Sequence, residues 1–156
     1  DSMGTGSVIL PGDVQMMSAG TGIRHSEFNH SKDELVHLLQ IWIIPDKRGV
    51  QPRYQQVHFP ADEKRGRLRL IISPDSAEGS LNVYQDVRVY AGLFDGIEIA
   101  ELNLADNRYA YVHVARGSLE VNGVRMHAGD GARVRFGNGE KAEVLVWNLR
   151  PNELPM

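Results

Sequence analysis

Ser118-Leu119-Glu120-Val121-Asn122-Gly123-Val124-Arg125-Met126-His127-Ala128-Gly129-Asp130 is the stretch whose reading decides the fold class. Two short runs, 118–121 and 124–127, flank Asn122-Gly123, a dipeptide that accepts the positive φ angles of a two-residue type I′ hairpin. Ala128-Gly129-Asp130 then reverses the chain again. The same punctuation extends outward. Asp95-Gly96 reads as another two-residue hairpin turn and Pro11-Gly12-Asp13 as a further sharp reversal. The 16 Gly and 7 Pro fall between short runs of Val, Ile, Leu and aromatic residues. Strands are therefore predicted at 6–10, 14–18, 23–28, 35–44, 67–73, 81–84, 87–94, 97–104, 109–114, 118–121, 124–127, 132–136 and 142–149. Helical periodicity is nearly absent, and one short helix is expected around 61–65. The fold class that follows is all-β, built from barrels or sandwiches rather than from a parallel sheet with crossover helices.

A chain of 156 residues has room for one generous domain or two small ones. Its 17 Lys and Arg against 20 Asp and Glu give a formal charge of −3, so no broad cationic field invites nucleic acid or an anionic membrane. The one basic run, Lys64-Arg65-Gly66-Arg67-Leu68-Arg69, reads as the solvated face of a strand. The absence of cysteine excludes a disulfide scaffold, a zinc ribbon and thiol catalysis. No apolar run reaches the length of a membrane span and no start resembles a signal peptide, which makes a cytoplasmic protein the simplest reading.

An internal repeat sharpens the architecture. Gly12-Asp13, Gly20-Thr21-Gly22 and the apolar run 35–44 with Trp42 are echoed by Gly129-Asp130, Gly137-Asn138-Gly139 and the run 144–149 with Trp147. The glycine pairs recur at an offset of about 117 residues. Two barrels of one design account for this, divided as 1–66, the remainder of an N-terminal barrel plus a polar linker at 45–66, and 67–156, a C-terminal barrel. The second copy has strands from 81 onward ahead of its turn, whereas the first has almost none. The first barrel is thus expected to be N-terminally incomplete, with Asp1-Ser2-Met3-Gly4 at the tip of a hairpin. A strand-rich cap on a single barrel is the other reading of the same pattern.

Inspection finds no P-loop, no Gly-x-Ser-x-Gly elbow, no His-Glu-x-x-His and no dinucleotide fingerprint. What remains is His25-Ser26-Glu27. In an extended strand, residues two apart share a face at roughly 6.7 Å, so an imidazole and a carboxylate can converge on one ion, with Ile23 as an apolar wall. A neutral imidazole with a carboxylate suits iron, nickel, manganese or zinc, and two donors alone hold any of them weakly. The same spacing also describes a surface cross-strand polar pair, and the residues alone leave both open. His30, His37, His58, His113 and His127 read as surface or half-buried histidines, and no two of the six stand as His-x-His. The positions 117 residues beyond the pair are Ala142 and Val144, so the second barrel is expected to hold apolar packing in place of ligands.

The run from Pro11 through Gly20-Thr21-Gly22-Ile23-Arg24-His25-Ser26-Glu27 to Asn29 resembles the second metal-binding motif of the pirin family, within the cupin superfamily. Leu38-Leu39-Gln40-Ile41-Trp42-Ile43 with Pro45, Pro52-Arg53-Tyr54, Gly79-Ser80-Leu81 and Tyr84-Gln85-Asp86 are similar to bacterial pirin-like proteins of the quercetin 2,3-dioxygenase type. The resemblance covers nearly the whole chain. It implies a bicupin whose metal sits in the N-terminal barrel on three histidines and one glutamate. His25 matches the third histidine and Glu27 the glutamate; the first two histidines belong to an upstream His-x-His motif that this sequence does not contain. The implied cofactor is a divalent metal, Fe(II) first, with Ni, Mn or Zn as alternatives and an absent metal expected if the missing ligands are not supplied. The implied chemistry is dioxygen cleavage of a flavonol such as quercetin, with Glu27 as base for the substrate hydroxyl.

The expectation is thus a flavonol dioxygenase parent, with this chain alone inactive. The alternative class is a non-enzymatic metal- or redox-sensing interaction protein, similar to a transcription cofactor. An open sheet edge with apolar positions around Val8, Leu10, Val14 and Met16 predicts self-association or pairing with the missing N-terminal segment.

Overall fold

The computed structural model describes residues 2, 4, 6–105 and 108–132, and the backbone of the strand 139–149. It contains nine strands: β1 (Asp13–Ser18), β2 (Arg53–His58), β3 (Arg69–Ser73), β4 (Leu81–Asn82), β5 (Val87–Phe94), β6 (Tyr109–Val121), β7 (Val124–His127), β8 (Gly131–Ala132) and β9 (Gly139–Leu149). One four-residue helix, α1 (Ala61–Lys64), stands where a helix is expected. The described chain is all-β, as predicted.

β3 to β9 form one sheet in the order β4-β3-β5-β9-β6-β7, with β8 pairing β6. All its pairs are antiparallel except β3 with β4. Alternation builds the buried face: on β5, Val87, Val89 and Ala91 point inward, and on β6, Ala110, Val112 and Val114 do so. After Val114 the inward residues become Leu119 and Val121, a change of parity that a regular strand cannot make. The register of β6 against β9 shifts on both sides of Arg116, and Gly117 takes φ +70°. The two predicted strands 109–114 and 118–121 are therefore one strand interrupted by an irregularity, where a positive-φ glycine is the natural residue. Asn122 and Gly123 have φ of 49° and 81°, as the predicted type I′ turn between β6 and β7 requires.

Two apolar clusters result. One gathers Phe94, Val112, Val114, Leu119, Val121 and Met126, so the described interior at the β6–β7 end is apolar. The other joins Phe59, Ile71, Ile72, Leu81, Val87 and Val89, and Val14, Met16 and Val57 pack onto it. β1 and β2 form a separate antiparallel pair in which Val14 faces Val57, so one face of this pair is apolar and lies on the β3–β5 region.

The internal repeat has a structural counterpart at its turns. Asp13 N–H donates to Leu10 O at 2.9 Å, and Asp130 N–H to His127 O at 2.9 Å. Each Asp carboxylate in turn accepts the backbone N–H three residues earlier, Leu10 at 2.9 Å and His127 at 2.8 Å. Gly12 and Gly129 supply the matching φ of 96° and 92°. These four-residue turns are 117 positions apart and share the same two hydrogen bonds.

Several expectations are corrected. No strand forms at 6–10, 23–28, 35–44 or 97–104; a strand exists only where a neighbour supplies a ladder, and apolar content alone does not provide one. Asp95-Gly96 is a turn with positive φ at Gly96 only, closed by Asp95 N–H on Glu98 Oε2 at 2.7 Å, and it opens no hairpin. The stretch 45–66 read as a polar linker carries β2 and α1, and its Phe59 is 1% exposed. Val8 and Leu10 are exposed as expected, whereas Val14 and Met16 are half-buried against the second cluster. Of the predicted strand 132–136, residues 133–136 lie outside the described residues, as do Asp1, Met3, Gly137, Asn138 and the side chains of Ala142, Val144 and Trp147.

Candidate metal centre

β1 delivers the chain to the candidate ligands through a tight turn. Gly22 N–H closes on Ala19 O at 2.8 Å, with Gly20 at φ +54°. A Cβ at Gly20 would stand 2.0 Å from Val50 O, so the backbone before β2 approaches this turn as closely as a glycine allows. Beyond it, residues 23–30 have no regular secondary structure. Arg24 is tied to Ser2, donating its N–H to Ser2 Oγ at 3.0 Å and accepting Ser2 N–H at its carbonyl at 2.7 Å. The polar loop that follows folds on itself: Ser31 N–H reaches Asn29 Oδ1 at 3.1 Å and Asn29 Nδ2 reaches Glu34 O at 2.7 Å.

His25 and Glu27 are both exposed, on alternate positions of this segment. An ion would find them accessible. Among the described residues, however, no group of three or more His, Asp or Glu side chains is placed to hold a metal. The donors present amount to part of a coordination set and do not fit a complete one. The remaining histidines lie elsewhere, two of them paired. His37 Nδ1 accepts Arg116 Nε at 3.0 Å, His58 pairs with Asp13, His30 lies in the polar loop, His113 is on β6 and His127 ends β7.

Two polar groupings escape motif reading. On the outer face of β1 and β2, the buried Asp13 carboxylate accepts His58 Nδ1 at 2.7 Å and Gln56 Nε2 at 2.8 Å in addition to Leu10 N–H. The Leu10 N–H first, then His58 and Gln56, hold its carboxyl below the usual carboxylate range against the opposing effect of burial. Gln56 Oε1 in turn accepts the Tyr54 hydroxyl. Its sequence signal is the Gly-Asp pair repeated at 129–130. On the opposite face, Arg53 stacks its guanidinium 4.9 Å from the centroid of Tyr84 and donates from Nη2 to Asn82 Oδ1 at 2.6 Å. Nothing in the residue types announces that pairing, because its members are 31 positions apart.

No helix among the described residues is long and apolar enough to cross a membrane. Comparison with known proteins then places the chain. Residues 1–43 match the profile of the family described as Pirin, and residues 70–148 that described as the Quercetinase C-terminal cupin domain.

The chain belongs to the pirin family.

Among relatives of this pirin-family chain, the quercetin 2,3-dioxygenase of Escherichia coli strain K12 is 38% identical over 157 residues, covering 97% of this chain and 67% of the relative. A pirin-like protein of Caulobacter vibrioides is 34% identical over 155 residues, covering 99% and 65%. The crystal structure of YhhW from Escherichia coli superimposes with a TM-score of 0.81 at 37% identity, covering 92% of this chain and 63% of that one. The bacterial pirin YhhW has also been solved in complex with nickel(II). This pirin-family chain spans about two thirds of the length of these relatives, and its match to two successive family profiles agrees with the bicupin expectation.

Proposed function

We propose that this chain is part of a metal-dependent dioxygenase acting on flavonols such as quercetin, and that it contributes two metal ligands, His25 and Glu27, to the N-terminal barrel of a 1–66 and 67–156 bicupin. The observation that carries the reading is the string Gly20-Thr21-Gly22-Ile23-Arg24-His25-Ser26-Glu27 inside the part of the chain that matches the pirin profile. The names of the relatives and the nickel(II) complex of YhhW support the substrate class and a divalent metal. Fe(II) is the first choice, with Ni(II), Mn(II) and Zn(II) open to the same donor pair. Glu27, whose carboxylate is exposed, is the group assigned to take the proton of the substrate hydroxyl. With two donors in place, this chain alone is assigned no turnover.

A chimera tests the reading: residues 1–156 replace the matching portion of the Escherichia coli relative, with the intact relative as reference. The expected result is aerobic quercetin consumption with Fe(II) or Ni(II), lost in His25→Ala and reduced at least about 10²-fold in Glu27→Gln. A folded, metal-loaded chimera that leaves quercetin intact overturns the dioxygenase reading and favours the non-enzymatic metal-sensing class. A metal content that His25→Ala leaves unchanged overturns the ligand assignment.

The exposed Val8, Leu10, Phe28, Leu35, Trp42 and Ile44 support a further part of the proposal, that the 6–44 surface of this chain self-associates or seats another strand-bearing segment.

A further inference from the structure

We propose that Arg53 and Tyr84 form a positioning clamp that sets the placement of the segment carrying His25 and Glu27. The proposal rests on the reading of those two residues as ligands and adds to it what holds them. The Tyr84 ring receives two cations, the Arg53 guanidinium at 4.9 Å and Lys47 Nζ at 5.6 Å from its centroid. Arg53 Nε is buried without a hydrogen-bond partner, so the ring face and Asn82 hold the guanidinium, Nη2 donating to Asn82 O at 3.2 Å and to Asn82 Oδ1 at 2.6 Å. One backbone bond and three from glutamine side chains fasten the two sides together around this point. Asp46 N–H donates to Tyr84 O at 2.7 Å and Gln85 Nε2 to Ile44 O at 2.7 Å. Gln55 exchanges two bonds with the Asn82 backbone, at 3.0 and 3.1 Å.

The clamp connects directly to the turn ahead of the ligands. Arg53 is the residue opposite Ser18 in the β1–β2 register, and Ser18 is followed at once by the Ala19–Gly22 turn. Gly20 in that turn meets the backbone of Val50, Gln51 and Pro52, the residues leading into Arg53. A displacement of Arg53 therefore moves the 50–52 backbone that confines Gly20, and His25 lies five residues beyond it. Residues 44–47, 50–55 and 82–86 thus form one physical path from the large sheet to the candidate centre. The path needs the Tyr84 ring and not its hydroxyl.

Backbone ¹⁵N relaxation of the full 156-residue chain tests this. Order parameters at 19–24 are expected near 0.8 or above, roughly the value of rigid backbone, and below about 0.6 in Tyr84→Leu. Tyr84→Phe, which keeps the ring face, is expected to restore the wild-type values. If Tyr84→Leu also lowers the order parameters of β6, it has unfolded the sheet, and Arg53→Met is read instead, with the same loss expected at 19–24. Unchanged values at 19–24 in the variant that keeps β6 ordered overturn the proposal, as does a Tyr84→Phe variant as mobile as Tyr84→Leu. Metal content of the chimera and of its His25→Ala variant separates this from the ligand assignment. Order parameters that respond as expected in the 156-residue chain, with a chimera metal content that His25→Ala leaves unchanged, leave the clamp standing and refute the ligand role alone.

Discussion

Phe59→Ala probes whether residues before 67 belong to the core of the large sheet or merely lead to it. The Phe59 ring is 1% exposed among Ile71, Ile72, Leu81, Val87 and Val89. Its outer face carries the Arg69 guanidinium at 5.1 Å, and its backbone N–H is bonded to Gly12 O at 2.9 Å. Truncation removes the transfer free energy of a buried aromatic ring and leaves a cavity that strands held by ladders on both sides cannot collapse, a combination that costs about 3–5 kcal/mol. For a chain of this size that corresponds to a fall in Tm of about 6–20 °C. Phe59→Leu keeps most of the volume and is expected to cost less than about 1.5 kcal/mol. Urea unfolding followed by tryptophan fluorescence measures both, with the slope m unchanged if only stability has moved. A loss below about 1 kcal/mol in Phe59→Ala would refute the reasoning, because it would mean that 45–66 is a tether and not part of the fold.

Three further outcomes are expected. In Gly92→Ala the new Cβ would stand 2.9 Å from Arg67 O and 2.5 Å from the Phe94 ring, and since the carbonyl cannot rotate away, a loss of about 1–3 kcal/mol in urea unfolding is expected; a change under 0.5 kcal/mol contradicts it. Asp75 is held down to about 2, first by the Ser73 hydroxyl and then by Arg88 at 2.6 Å. Its folded value lies below its unfolded one, so its stabilisation is fully present above about pH 4 and is lost as pH falls toward 2. The stability gap between the wild type and Asp75→Asn, measured by urea midpoints across that window, should close with acid; a gap constant from pH 5 to pH 2 would show that the carboxylate charge is irrelevant. Sedimentation of this chain is expected to show association that Trp42→Glu, at a residue 88% exposed, weakens; a strict monomer at every concentration argues against an associating 6–44 surface.

Local chemistry made much of the fold legible in the amino-acid order. Asn122-Gly123 dictates its turn because few other pairs accept positive φ twice, and the Gly-Asp reversals at 12–13 and 129–130 announce a repeat that two turns with the same hydrogen bonds embody. The alternation of β5 shows directly which side faces inward. His25-Ser26-Glu27 is likewise visible by residue type and spacing, and a two-donor string suffices to suggest a metal. What the order of residues could not convey is partnership. The run 35–44 is apolar enough for a strand and forms none, whereas Arg53-Tyr54-Gln55-Gln56-Val57-His58, with one aliphatic residue, is β2 because β1 supplies its ladder and Asn82 and Asp13 satisfy its polar side chains. The same holds for the candidate centre. That Gly20 must be glycine follows from the carbonyl of Val50, thirty residues away, and that Arg53 rests on Tyr84 follows from the packing of β2 against the loop between β4 and β5. Backbone torsions are local and can be read along the chain, while ladders, stacking and close approach depend on which distant atoms arrive within a few ångströms, and only the tertiary structure decides that.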